Sequence, residues 1–142
     1  MTDRLQQATS GRAGLKLGWL SGRANRKEYW IWIAPLLVIE ILLFGLGPVA
    51  TLAVAIVRLL VWIRRLHDLG WTGWIAPIFN VAASVLAFAL QFALGPDPAA
   101  LAAAGVVLAG IVVLGCLPGQ PFDNEFGPPP GRKAANPAET FG

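Results

Sequence analysis

From Trp30 to Leu117 the chain is almost continuously apolar, and Arg64-Arg65-Leu66-His67-Asp68 is the only cluster of ionisable residues within that stretch. A soluble domain alternates buried and exposed faces, so polar residues recur along each of its helices or strands. Here the segments are apolar nearly all round and approach the roughly 20 residues needed to cross hydrocarbon. The pattern predicts an all-α integral membrane protein, a four-helix bundle. Composition agrees, since 13% charged residues is about half of what an average soluble domain carries. The formal net charge of +3 does not point to nucleic acid, because most Lys and Arg flank apolar segments, where lipid headgroups and orientation account for them. The lone Cys116 has no second thiol for a disulfide or a metal site, and its apolar context predicts a small buried hydrophobe.

Three regions follow. Residues 1–28 form a basic N-terminal segment, residues 29–117 hold four spans, and residues 118–142 form a Pro- and Gly-rich tail expected to be mostly disordered. The spans are expected at about 29–47, 49–65, 74–94 and 98–117, with Tyr29, Trp30 and Trp32 as an interfacial aromatic anchor at the start of the first. Gly45-Leu46-Gly47-Pro48 reads as a tight turn that makes the first two spans a hairpin. Residues 67–73 read as a loop, and Asp97 and Pro98 as the N-cap and first residue of the last helix. Leu15, Leu17, Trp19 and Leu20 form a short apolar patch around Lys16 that suits the membrane interface. A cleaved signal peptide is not expected.

Orientation follows from Lys and Arg near the span ends. Arg4, Arg12, Lys16, Arg23, Arg26 and Lys27 precede the first span, Arg64 and Arg65 end the second, and Arg132 and Lys133 follow the fourth. The other two turns carry none. The positive-inside rule therefore predicts that both termini and the central loop are cytoplasmic.

Three patches stand out: Gly22-Arg23-Ala24-Asn25-Arg26-Lys27-Glu28-Tyr29-Trp30 before the first span, Arg64-Arg65-Leu66-His67-Asp68-Leu69-Gly70-Trp71-Thr72-Gly73-Trp74 between the second and third, and Asn124-Glu125-Phe126-Gly127-Pro128 in the tail. In order and position they resemble the YhaH-like small inner-membrane proteins of bacteria, a family with a domain of unknown function. The chain departs slightly, with Trp71 and Thr72 in place of a polar residue and Ser, and Phe126 where Tyr is common. The resemblance implies a multi-pass protein of the bacterial inner (plasma) membrane and carries no activity with it.

Two constellations carry chemistry. Arg64 and Arg65 sit at the carboxyl end of a helix, where cations complement exposed carbonyls and anchor topology. An anchor needs only Lys or Arg, whereas His67 and Asp68 add a titratable donor and an acceptor that can orient a guanidinium. With Arg23 and Arg26 at the same membrane level, these residues read as a cytoplasmic-face site for an anionic group, a lipid phosphate or a partner's carboxylate. Glu40 and Arg58 lie inside spans one and two and fall close together in a hairpin, which predicts an intramembrane ion pair. Thr51, Arg58 and Arg65 share a face of span two, and Asn80, Ser84 and Gln91 share one of span three, where interhelical hydrogen bonding is expected.

A single His supports no zinc site, and the chain contains no phosphate loop, no Ser-His-Asp set and no paired carboxylates on one helix. No metal, cofactor or enzymatic activity is expected. The expected role is non-enzymatic: a basic cytoplasmic face binding anionic membrane lipid or a membrane-protein partner, with homo-oligomers admitted. The alternative is a small proton- or ion-coupled transporter built on Glu40 and Arg58. A lipid-modifying enzyme using His67 and Asp68 is the weakest of the three readings.

Overall fold

The computed structural model describes residue 20, residues 22–43 and residues 47–131. Leu15, Lys16, Leu17 and Trp19 of the apolar patch, Gly45 and Leu46 of the first turn, and the basic residues Arg4, Arg12, Arg132 and Lys133 lie outside the described residues. Among the described residues four helices follow one another: α1 (Arg26–Leu43), α2 (Pro48–Asp68), α3 (Ile75–Leu94) and α4 (Pro96–Cys116). Among the described residues the only extended pairing is an isolated bridge between Asn124 and Gly127. The fold is all-α, as expected from the pattern.

Helix boundaries follow local chemistry. Asn25 caps α1 by accepting the Glu28 N–H on its side-chain oxygen at 2.8 Å. α2 runs three residues past its expected end, so His67 and Asp68 are helical rather than part of a loop. It stops at Gly70, whose φ of +75° suits the residue after a helix end. There the Gly70 N–H donates to the His67 carbonyl (3.1 Å) and the Trp71 N–H to the Leu66 carbonyl (2.9 Å), the pairing that closes a Schellman motif. α4 begins at Pro96 with Gly95 as N-cap, so Asp97 lies inside the first turn and caps nothing. Pro96, a proline ring preset for helix two positions before Pro98, explains the shift.

The helices pair mainly as two hairpins, α1 with α2 and α3 with α4, with sparser contacts between the hairpins. The shared core is confined to one half. It comprises Tyr29 and Ile33 from the start of α1, Val61, Trp62, Leu66 and Leu69 from the end of α2, Ala76 from the start of α3, and Ile111 and Leu114 from the end of α4. Tyr29 is fully buried and its hydroxyl donates to the Ile111 carbonyl at 3.0 Å. It is a core residue and not the interfacial anchor expected, a role left to the exposed Trp30 and Trp32. In the opposite half the buried apolar residues among those described are Val54, Ala83 and Ala99, none of them part of the core cluster.

The outer faces are apolar. Ile41, Leu42, Val49, Leu52, Val81, Phe92 and Leu101 are each at least 60% exposed. α3 and α4 are long and apolar enough to cross a membrane, with mean hydropathy 1.8 and 2.5. The side chains of Asn80 and Ser84 do not bond between helices as expected. Each donates to the carbonyl four residues earlier on α3, of Ala76 and Asn80 respectively, both at 2.9 Å. A polar side chain facing apolar neighbours satisfies itself on its own helix when no other acceptor is in reach. Cys116 is exposed rather than buried, because it ends α4 beyond the last core layer.

Candidate functional site

The end of α2 carries Arg64, Arg65, His67 and Asp68, and the segment before α1 brings Arg23 against them. The link begins in the backbone, where the Ala24 N–H donates to the Arg64 carbonyl at 3.1 Å. Asp68, with a side chain only 4% exposed, then divides its carboxylate between two guanidinium groups. Its Oδ1 accepts from Arg23 Nε and Nη2 at 3.0 Å, and its Oδ2 from Arg65 Nη1 at 2.6 Å. Two buried cations thus share one buried anion.

Backbone carbonyls supply the remaining acceptors. Arg65 donates to the carbonyls of Ala24 (3.1 Å), Leu114 (2.9 Å) and Leu117, the last two at the C-terminal end of α4. Arg23 donates to the carbonyls of Phe122 (2.8 Å), Gly127 (3.1 Å) and Gln120. A buried guanidinium demands this many partners because an unpaired charge in a dry interior is costly. Arg64 pairs with Glu28 at 2.8 Å and donates to the Arg23 carbonyl at 3.3 Å.

The tail is part of this knot, which corrects the expectation of disorder for residues 118–131. The Gln120 N–H donates to the Asp68 carbonyl at 2.9 Å, and Asn124 Nδ2 donates to the His67 carbonyl at 2.9 Å and to Gln120 Oε1 at 3.0 Å. Phe126 stacks on His67 with ring centroids 3.8 Å apart and planes 6° from parallel. Gly119 passes so close that a Cβ there would lie 1.9 Å from Asp68 Oδ2. The Pro and Gly content that reads as disorder instead permits this close path, because the segment is held by the Arg23 fork rather than by a core of its own.

His67 Nδ1 is sealed from solvent with no hydrogen-bond partner. Burial lowers the His67 pKa below its ordinary 6.5, opposed only in part by the backbone of Gly22 and Leu20.

The expected anion-binding residues therefore converge, but most are already engaged. Arg23, Arg65 and Asp68 saturate one another and the tail, and His67 is covered by Phe126. Arg26, by contrast, is exposed and among the described residues donates only to the Cys116 carbonyl, at a long 3.4 Å, and Lys27 beside it is exposed too. The other constellation also comes together, with Arg58 Nη1 donating to Glu40 Oε1 at 2.7 Å and Oε2 at 2.5 Å. Sequence reasoning missed Tyr29, Gln120, Asn124 and Phe126 as members of the core and knot. Asn124 and Phe126 stood in the third patch, and that placement was the available signal. Among the described residues no group of His, Cys, Asp and Glu is arranged to hold a metal ion.

Among the described residues, four helices with exposed apolar flanks and a polar knot at one end define a small all-α protein, two of whose helices are long and apolar enough to cross a membrane. A family model described as "Protein of unknown function (DUF805)" matches residues 44–128, more than half of the chain, and the chain belongs to that family. The match contains the central and tail patches and begins after the first. No curated protein and no solved structure matches the chain.

Proposed function

We propose that the chain is a non-enzymatic, four-span protein of the bacterial plasma membrane, with both termini cytoplasmic, that holds anionic lipid headgroups at the rim of its knotted end. The membrane reading is supported by apolar side chains exposed around the bundle, a surface that water penalises and lipid does not. The observation that carries the lipid reading is the division of labour among the cations. Arg23 and Arg65 use their donors inside the protein, whereas Arg26 and Lys27 stay exposed in the first turn of α1, one helical turn from the exposed Trp30, and Trp71 and Trp74 are exposed in the connection after α2. Cations flanked by tryptophans match the charged and amphipathic layers of a headgroup region. Of the expected residues Arg23, Arg26, Arg64, Arg65, His67 and Asp68, Arg26 is kept for the anionic group and Lys27 joins it, while Arg23, Arg65 and Asp68 hold the platform.

Native mass spectrometry tests this. Wild type should retain phosphatidylglycerol over phosphatidylcholine, and Arg26→Gln with Lys27→Gln should lose that preference while keeping its thermal unfolding temperature. Equal retention of the two lipids by wild type, or an unchanged preference in the double variant, would overturn the reading.

A further inference from the structure

Arg58 is the one guanidinium outside the knot among the described residues that is nearly covered, its side chain 9% exposed. It lies on the inner face of α2, one turn from the buried Val54 and Val61 and about 10 Å along the helix from Arg65. Both oxygens of Glu40 bind a single nitrogen, Nη1. Nε and Nη2 donate to nothing among the described residues, and neither is sealed from its surroundings.

This is an unusual way to pair a carboxylate with an arginine. Nε and Nη2 lie on the same edge of the planar guanidinium, and their parallel N–H bonds form the fork that binds a carboxylate through two hydrogen bonds. Glu40 leaves that fork open. In a membrane interior, where the four-span reading puts it, a guanidinium fork without acceptors is costly, so it calls for an oxyanion or water. Arg58 sits at the edge of the shared core, one turn from Val61, and on its far side few apolar side chains are buried among the described residues.

Charge decides the kind of ligand. Arg58 and Glu40 together are neutral, so a plain anion would add an uncompensated charge in low dielectric. A molecule carrying both charges would not. Glu40 still has 28% of its side chain exposed, enough to accept from an ammonium group. The geometry points to a binding site for a small zwitterion of the amino-acid type, its carboxylate in the Nε and Nη2 fork of Arg58 and its ammonium on Glu40. The site stands apart from the headgroup rim and does not depend on it.

Isothermal calorimetry on the full chain in nanodiscs, with L-alanine, acetate and ethylammonium as probes, tests the proposal. Wild type should bind alanine saturably, and each single-charge probe at least about tenfold more weakly, the factor for losing one charge-assisted hydrogen bond. Arg58→Lys keeps a cation for Glu40 but has no fork, so alanine binding should fall by a similar factor at unchanged thermal stability. No saturable alanine binding to wild type would mean that the fork holds water only and would overturn the proposal. Acetate binding as well as alanine would replace the zwitterion with a simple anion and overturn it too. Alanine binding unchanged in folded Arg58→Lys would put the ligand elsewhere. Should that variant fail to fold, the three probes on wild type decide alone.

Discussion

Asp68 is the residue on which the knotted end depends, because it is the one carboxylate shared by two buried arginines. Asp68→Asn keeps the shape and removes the charge, leaving Arg23 and Arg65 as buried cations with carbonyls alone for partners. The expected loss is about 3–5 kcal/mol, the usual cost of breaking a buried pair from one side, read by denaturant unfolding in detergent. Glu28→Gln, at a pair whose carboxylate is 31% exposed, should cost under about 1 kcal/mol in the same assay. Gly119→Ala should also destabilise the knot, because the added methyl would fall on Asp68 Oδ2 and the tail would have to lift away. The roles of these residues were only half legible in the sequence. His67 and Asp68 beside two arginines announced an oriented guanidinium, since an anchor needs neither. That the guanidinium was Arg65, three residues back on the same helix, and Arg23 from a distant segment depended on a chain path that local spacing does not encode.

The element least legible in the sequence is the segment after α4. Proline, glycine and charge over 118–131 carry no periodic apolar face, and such composition ordinarily cannot offset the entropy of ordering. What orders it is borrowed: the Arg23 fork on its carbonyls, Asn124 on the end of α2, and Phe126 on the ring of His67. Phe126→Ala should therefore free the segment without melting the helices, seen as increased mobility of a spin label at Glu125→Cys in a Cys116→Ser background. The stacked ring also makes docking sensitive to pH. Burial, to which the stacked Phe126 ring contributes, holds the His67 pKa below its ordinary value, so the form with the ring covered binds fewer protons and is favoured as pH rises. Its contribution is fully present above the ordinary pKa near 6.5 and is lost as pH falls below it, through the docked value. The label should loosen between pH 7.5 and pH 5.5 in wild type. In His67→Phe, which can stack but not titrate, the mobility should not change, and an equal loosening there would assign the effect to another group.

At the scale of the whole molecule, the distribution of charge along the chain carries more than any motif. The helix number and their approximate bounds were legible, because apolar runs broken by Gly-Pro pairs and one charged cluster leave little choice of segmentation. The lopsided core was not legible, since segments apolar all round do not show which stripe faces a neighbour. The described basic residues other than Arg58, namely Arg23, Arg26, Lys27, Arg64, Arg65 and the neighbouring His67, all lie at the end of the bundle where α1 begins and α2 ends. The connections at Gly47 and Gly95 lie at the opposite end, with no Lys or Arg in them. The four-span reading turns that asymmetry into an orientation, because basic loops are retained in the cytoplasm. Reporter fusions placed after Gly47 and after Gly95 should read as external, and fusions after Gly70 and after Gly131 as cytoplasmic. A two-span protein built only on α3 and α4 would keep the Gly47 position on the same side as Gly70 while still exporting Gly95. The Gly47 fusion is therefore the discriminating one, and a cytoplasmic signal there would leave α1 and α2 outside the hydrocarbon and remove the basis for a lipid-facing rim at Arg26 and Lys27.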